Sequence, residues 1–180
     1  MLKIILVGIV VAIAGILAYA ATRPDTFRVQ RTARINAPPE KIFPLIDDLR
    51  SGEQWSPYYR KDPAMKGTYS GPASGKGAAF DFAGNKDVGS GRVTITDSTP
   101  PGEVTMRLQM FKPFAADNVV KFTLVPRGAT TDVTWAMQGR QPFIARLMCL
   151  FFDMDKMVGA DFAAGLASLK SIVESRGGES

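Results

Sequence analysis

Histidine is absent from this 180-residue sequence, and cysteine occurs once, as Cys149. Because histidine is the commonest general base and a common metal ligand, its absence counts against many classes of enzyme and metal site. A single cysteine excludes an intramolecular disulfide, and its position inside an apolar run predicts a buried, unreactive thiol. We therefore expect no metal, no cofactor and no recognisable group of catalytic residues.

Concentrated positive charge is also missing, although the formal net charge is +5. The lysines and arginines are scattered along the chain, and Arg60 with Lys61 is the only adjacent basic pair. Proteins that bind nucleic acids need a basic patch that displaces counterions from the phosphates. The sequence predicts no nucleic-acid partner.

Charged residues do not occur in residues 4–21, an apolar run that follows Lys3. At a rise of about 1.5 Å per residue a helix over this run is about 27 Å long, close to the thickness of a bilayer core. This length favours an uncleaved single-pass membrane anchor over residues 1–22. A cleaved signal peptide is the alternative, because Ala-Tyr-Ala at 18–20 has the small-x-small pattern of a cleavage site. Basic residues flank the run on both sides, so the side of the membrane that holds the domain stays open.

The rest of the chain divides into a linker at 23–26, a folded domain at 27–176 and a tail at 177–180. Alternating residues predict a first strand at 27–35. Pro38 and Pro39 suit the first turn of a helix, and the apolar face of this helix continues to Leu49. The next predicted segments are a short helix or turn at 51–59 and a Gly/Pro-rich loop at 62–77.

Period-two alternation then dominates, which is typical of strands with one face on a core and one face in water. Turn residues separate the alternating segments, so the pattern predicts an antiparallel meander. The predicted strands are 78–83, 91–97, 103–111, 119–125 and 131–139.

The last segment predicts a long helix over about 155–175. Val158, Phe162, Leu166, Leu169 and Val173 recur at steps of three and four and form one apolar stripe. This stripe needs a partner surface, and the sheet supplies it. We expect an α+β fold in which a curved antiparallel sheet wraps around the C-terminal helix, with two short helices after the first strand.

Two glycines lie inside this predicted helix, although glycine is unfavourable there. Gly159 and Gly165 each cost about 1 kcal/mol relative to alanine in a helix interior. We expect another backbone, or a ligand, to approach the helix closely at these positions.

Four stretches of the chain resemble the SRPBCC group, also called START-like or helix-grip proteins, and in particular its polyketide cyclase/dehydrase-like members. The stretches are 37–43 in the first helix, Trp-Ser-Pro-Tyr at 55–58, the last strand at 130–135, and 157–170 in the closing helix. The resemblance implies a hydrophobic cavity between sheet and helix that holds a lipid, a polyketide or a similar molecule. It implies no particular reaction, because the group includes enzymes, carriers and sensors.

Inward-facing side chains of the strands and the closing helix are the candidates for lining this cavity. The methionines among them adapt to ligands of varied shape, although they equally suit a filled core. Trp55 is expected either at the mouth of the cavity or packed in the core. Trp135 is expected to line the cavity and to pack in the core at the same time. The candidates are Trp55, Phe80, Phe82, Met106, Leu108, Met110, Phe122, Trp135, Met137, Met154, Met157, Val158 and Phe162.

Charged residues near the predicted cavity are interpreted as structural. Asp81 alternates with two phenylalanines and is expected on the wet face of the sheet, where Arg92 and Arg107 are possible partners. Asp153 and Asp155 are expected to break and cap the C-terminal helix rather than bind a metal with Asp161.

Residues 142–152 are unusually apolar, with Arg146 as their only charge. Packing of this helix under the sheet edge is one interpretation. The other is a lid, or a patch that touches the membrane and lets an apolar ligand pass without crossing water.

The function that fits these features is a membrane-anchored domain that binds a hydrophobic small molecule as a carrier or sensor. One alternative is a cyclase- or dehydratase-like enzyme, which without histidine would rely on Asp81, Tyr58, Tyr59, Tyr69 or an arginine. The other is an envelope interaction module that binds no ligand. The sequence leans away from an enzyme.

Overall fold

A computed structural model of the chain describes residues 2–150 and 153–177. The helices are α1 (Leu2–Thr22), α2 (Pro39–Asp47), α3 (Gly52–Trp55), α4 (Pro57–Lys61), α5 (Phe143–Met148) and α6 (Met154–Gly177). The strands are β1 (Thr26–Ile35), β2 (Lys66–Ser70), β3 (Ala79–Ala83), β4 (Ser90–Thr99), β5 (Glu103–Lys112), β6 (Ala116–Arg127) and β7 (Thr130–Arg140).

The seven strands form one antiparallel sheet in the order β1-β7-β6-β5-β4-β3-β2. The helices α2, α3 and α4 carry the chain from β1 at one edge to β2 at the other, and a meander then returns to β1. The long helix α6 closes the domain. The predicted α+β helix-grip architecture is confirmed.

The strand β2 lies inside the segment that the sequence predicts as a loop, so that prediction is wrong. This edge strand pairs with β3 and is largely exposed, which leaves it without the alternating apolar residues that mark the other strands. Its stability comes from the neighbouring strand. The ring of Phe80 lies over Gly67 and stacks on Tyr69 with centroids 4.5 Å apart.

The helix α1 contains the stretch Lys3–Thr22, whose length and mean hydropathy of 2.8 suit a membrane span. It contacts α5, where Arg146 Nη1 donates hydrogen bonds to the carbonyls of Ala21 and Arg23. The helix α5 ends at Met148, earlier than predicted, and Phe151 and Phe152 lie outside the described residues. Cys149 is half-buried rather than buried.

Polar contacts hold α6 along β1. The Arg31 guanidinium forms an ion pair of 3.0 Å with Asp155 and lies against Gly159, where a Cβ atom would collide with it. Further along, Lys170 Nζ donates to the Arg34 carbonyl, and the Asn36 N–H donates to Glu174. The closing helix therefore covers the β1 edge of the sheet.

Aromatic rings fill the contact between α6 and the centre of the sheet. Trp135 stacks on Phe162 with centroids 4.2 Å apart, and Trp55 meets Trp135 edge to face at 5.5 Å. A Cβ atom on Gly165 would lie 2.7 Å from the Trp135 ring and 3.0 Å from Pro57. Close approach at both helix glycines is confirmed, but the approaching groups are side chains, not a backbone or a ligand.

The two glycines are expected to respond differently to alanine. At Gly165 the new methyl group meets a packed ring, so overpacking should outweigh the helix propensity of alanine and lower the free energy of unfolding by about 1–2 kcal/mol. At Gly159 it meets the flexible end of the half-buried Arg31 side chain, which can move away at the cost of its partly exposed ion pair with Asp155. The weak ion pair and the helix propensity of alanine should nearly cancel, so stability should change by less than about 1 kcal/mol. Thermal unfolding followed by circular dichroism checks both. An equal loss of stability in both variants would contradict the conclusion that the Trp135 ring makes Gly165 the more sensitive position.

Candidate ligand-binding site

The inner face of the sheet is built from side chains that lie in register across the strands. One row joins Ile95, Met106, Val120, Met137 and Val29, all of them buried. Period-two alternation places the next row two residues closer to the turn between β5 and β6. That row contains Phe80, Val93, Leu108, Asn118, Gly139 and Phe27.

Seven of the thirteen predicted cavity residues lie in the packed interior. Trp55 belongs to this group, and its Nε1 donates to the Leu45 carbonyl at 2.8 Å, so it packs in the core rather than at a mouth. A buried tryptophan usually has such a partner, but Trp135 Nε1 has none among the described residues. The buried group is Trp55, Phe80, Met106, Phe122, Trp135, Met137 and Phe162.

The other six predicted residues are only partly covered. Because α6 follows β1, the inner faces of β3 and β5 near the β5–β6 turn receive less cover. Phe82, Leu108 and Met110 are half-buried there, and we call this part of the inner face the groove. Val158 is half-buried on α6. Met154 and Met157, in the first turn of α6, are 38% and 59% exposed.

Asn118 is a polar residue that the sequence reasoning missed. It is 6% exposed, lies between Leu108 and Gly139 on the inner face, and its Oδ1 has no hydrogen-bond partner among the described residues. Gly139 leaves room for the amide, because a Cβ atom there would collide with it. The alternation of Asn118 with Val120, Phe122 and Leu124 was the signal that could have placed it inward.

An unpartnered amide oxygen in an apolar wall is costly, because burial removes its hydrogen bonds to water. It can accept a hydrogen bond from a hydroxyl or amide group of a bound molecule. Asn118 therefore has an unused acceptor on the inner face, in the row that contains Leu108 and Gly139.

A chain of hydrogen-bonded hydroxyl groups lies beside Phe80, at the edge of the sheet formed by β2 and β3. Tyr59 and Tyr69 hydroxyls are 2.8 Å apart, and Tyr69 donates to Glu53 at 3.1 Å. Burial raises the pKa of Tyr59 and Tyr69, and burial together with the Asp161 carboxylate raises the pKa of Tyr58. These phenols stay protonated near neutral pH, so they can donate hydrogen bonds but do not act as bases.

The charged residues of the strands lie outside this site. Asp81 pairs with Arg92 at 3.2 Å and both are well exposed, as predicted for the wet face. Arg107 does not join them, because the register places Arg92 beside Gln109 and leaves Arg107 to pair with Asp117.

The three aspartates near α6 each have a structural partner. Asp153 caps the helix by accepting a hydrogen bond from the Lys156 N–H at 2.9 Å. The hydrogen bond from Arg31 lowers the pKa of the Asp155 carboxyl, and Asp161 binds Lys61 at 2.6 Å. Within residues 2–150 and 153–177, no group of three such side chains has the geometry of a metal site.

Two surface depressions lie away from the interface between the sheet and α6. One of about 240 Å³ lies between α2 and the end of α6. The other, of about 500 Å³, lies beside the β5–β6 turn and is lined by Gly84, Asn85, Lys86, Gly89, Ser90, Lys112 and Pro113.

Comparison with solved structures identifies the same fold in proteins of low sequence identity. Protein CV1439 from Chromobacterium violaceum is 16% identical, with a TM-score of 0.58 over 84% of this chain and 99% of that chain. The Aha1 dimer from Colwellia psychrerythraea is 20% identical, with a TM-score of 0.56 over 82% and 96%. The di-domain ARO/CYC StfQ from the steffimycin biosynthetic pathway is 9% identical, with a TM-score of 0.62 over 85% and 52%.

A search of the curated proteins finds no match. The family described as polyketide cyclase / dehydrase and lipid transport matches residues 26–174, which include the whole sheet and most of α6. The match agrees with the sheet, the closing helix and the apolar inner face between them. The chain belongs to the polyketide cyclase / dehydrase and lipid transport family.

Proposed function

We propose that this protein is a membrane-anchored domain that binds a hydrophobic small molecule, such as a lipid or polyketide, and serves as a carrier or sensor. The observation that carries the proposal is the groove, an apolar part of the inner face that α6 leaves half-covered. Phe82, Leu108 and Met110 line it. Small-molecule sites are usually lined by apolar side chains of this kind.

The composition of the groove supports an apolar ligand. No charged side chain occupies the inward positions of the Leu108 row or of the row formed by Phe82, Gly91 and Met110. Met110 adapts its shape at low cost, as do Met154 and Met157 at the start of α6. Asn118 supplies one hydrogen-bond acceptor, so the preferred ligand carries a donor such as a hydroxyl group.

The N-terminal helix supports a function at a membrane. An apolar ligand partitions into the bilayer, and α1 would keep the domain at its surface. The helix α5 contacts α1 and exposes Phe143 to 38% and Ile144 to 70%, which favours a membrane-touching patch over packing under the sheet edge. The ligand would then enter without crossing water.

Native mass spectrometry of the full chain, with solvent extraction of bound molecules, tests ligand binding. We expect a stoichiometric adduct in the mass range of a lipid or polyketide. Leu108→Gln should lower its occupancy strongly, because it places an amide in the apolar wall. Val125→Gln is the matched control, since Val125 is 39% exposed and lies on the outer face.

Unfolding curves of both variants would show that the Leu108 variant is folded. A native mass spectrum that shows only the unliganded protein after incubation with a cellular lipid extract would contradict the proposal. Equal occupancy in Leu108→Gln and wild type would contradict the placement of the ligand in the groove.

Asn118→Leu provides a second test, because it separates a ligand contact from a structural role. An unpartnered buried amide costs about 1–3 kcal/mol, so an apolar residue of similar size should raise the stability of the ligand-free protein. The same variant should bind a long-chain alcohol more weakly, while its affinity for the corresponding alkane stays unchanged. Thermal unfolding and competition binding measure the two effects. Loss of stability would show that the amide has a structural partner.

A cyclase-like enzyme is the second candidate, and the chain formed by Glu53, Tyr69 and Tyr59 favours it. Tyr59 and Tyr69 stack on Phe80, which shares a row with Leu108. In this reaction class, a protonated phenol would stabilise an enolate formed on a bound substrate, and Tyr59 would have to donate to the enolate in place of Tyr69.

The raised pKa of the phenols predicts a loss of stability at high pH. The unfolded chain releases its phenolic protons near pH 10 while the folded protein retains them, so stability should fall as the pH rises above about 10. Tyr58→Phe or Tyr59→Phe should reduce this dependence. Melting temperatures between pH 8 and 11 check it, and absorbance at 295 nm follows ionisation. Ionisation of all tyrosines near pH 10 without unfolding would contradict burial as the cause.

A further inference from the structure

One end of the sheet gathers the segments that lie closest to the N-terminal helix. The helix α1 ends at Thr22, and β1 begins at Thr26 opposite Arg140, the last residue of β7. Asn118 near the start of β6 pairs with Gly139, and Ser90 at the start of β4 pairs with Lys112 at the end of β5. The β5–β6 hairpin turn therefore projects from the same end as α1.

This turn exposes two large aromatic side chains. Phe111 and Phe114 are 57% and 65% exposed, and they flank Lys112 and Pro113. Outside α1, most of the large hydrophobic residues that the structure shows as exposed lie at this end of the domain. The residues at this end are Phe111, Phe114, Val119, Phe143, Ile144, Met154 and Met157. The exception is Val125, which lies at the opposite end of β6.

The depression of about 500 Å³ lies beside the turn. Its only charged lining residues are Lys86 and Lys112. Exposed apolar side chains next to lysines suit the interface of an anionic bilayer, where the rings enter the lipid and the ammonium groups meet phosphates.

We propose that the β5–β6 hairpin is a second membrane contact, in which Phe111 and Phe114 insert into the bilayer that holds α1 while Lys86 and Lys112 bind its anionic headgroups. This inference rests on the proposed function, because it requires α1 to span that bilayer. The occupant is lipid because the patch is continuous with the anchor: α1, α5 and the turn lie at one end of the domain.

The contact has a consequence for the groove. Met110 directly precedes Phe111, and Leu108 lies one row deeper. The anchor α1 meets the domain only at one corner of this end, through α5 and Arg146. A second contact at the turn orients the open end of the groove toward the lipid, which is the direction from which an apolar ligand arrives.

Spin labels on the full chain in nanodiscs of phosphatidylcholine and phosphatidylglycerol test the contact. Single cysteines are introduced as Phe114→Cys, Val125→Cys and Val10→Cys in a Cys149→Ala background. Residue 114 lies just before β6 and residue 125 near its end, and both are exposed. The strand has 12 residues and is about 40 Å long, so the two positions lie at opposite ends of the domain. Residue 125 is therefore the matched control for the far end of the domain.

We expect the labels at 114 and 10 to collide more often with oxygen, which is enriched in lipid, and the label at 125 to collide more often with a water-soluble nickel chelate. Adding Lys86→Glu and Lys112→Glu should shift the label at 114 toward the aqueous pattern. An aqueous label at 114 with a lipid-exposed label at 10 would overturn the hairpin contact and leave the anchor intact. Aqueous labels at both positions would overturn the anchor and the proposed function with it.

Discussion

The stacking of Trp135 on Phe162 is the contact on which the rest of this structure depends. It joins the centre of the last strand to the middle of α6 and requires Gly165 on the helix, because any larger residue would push the ring away. Trp55 completes the cluster and connects α3 to it. Aromatic pairs of this kind add directional packing to the burial of apolar area, so they determine where the helix lies as well as how tightly it is held.

The position of α6 in turn determines where the inner face stays open. Ion pairs and hydrogen bonds keep the helix along β1, and the buried row from Ile95 to Val29 is closed by this packing. The strands farther from β1 keep Phe82, Leu108 and Met110 half-covered. The filled core and the groove are thus parts of one surface, and the buried amide of Asn118 lies beside Leu108 where the two meet.

Much of the fold follows from the sequence, because apolar residues repeat with a period of two in the strands and three to four in the last helix. The edge strand β2 escaped prediction, since its stability comes from pairing with β3 and from the Phe80 ring over Gly67, not from its own pattern. The predicted cavity residues on the strands share an inward direction, whereas Met154 and Met157 on α6 are exposed. Direction alone does not separate residues under α6 from residues beyond its reach, and seven of the thirteen are buried.

The sequence by itself determined the order of the elements other than β2, the inward faces of the strands, the apolar N-terminal run and the unusual glycines of the last helix. Each of these is a local property that neighbouring residues carry. Only the tertiary structure decided which side chains meet those glycines, that the buried Asn118 Oδ1 has no partner in the described part of the chain, and that the β5–β6 turn lies at the same end as α1. These relations depend on strand register and helix placement, which arise from contacts between residues far apart in the chain.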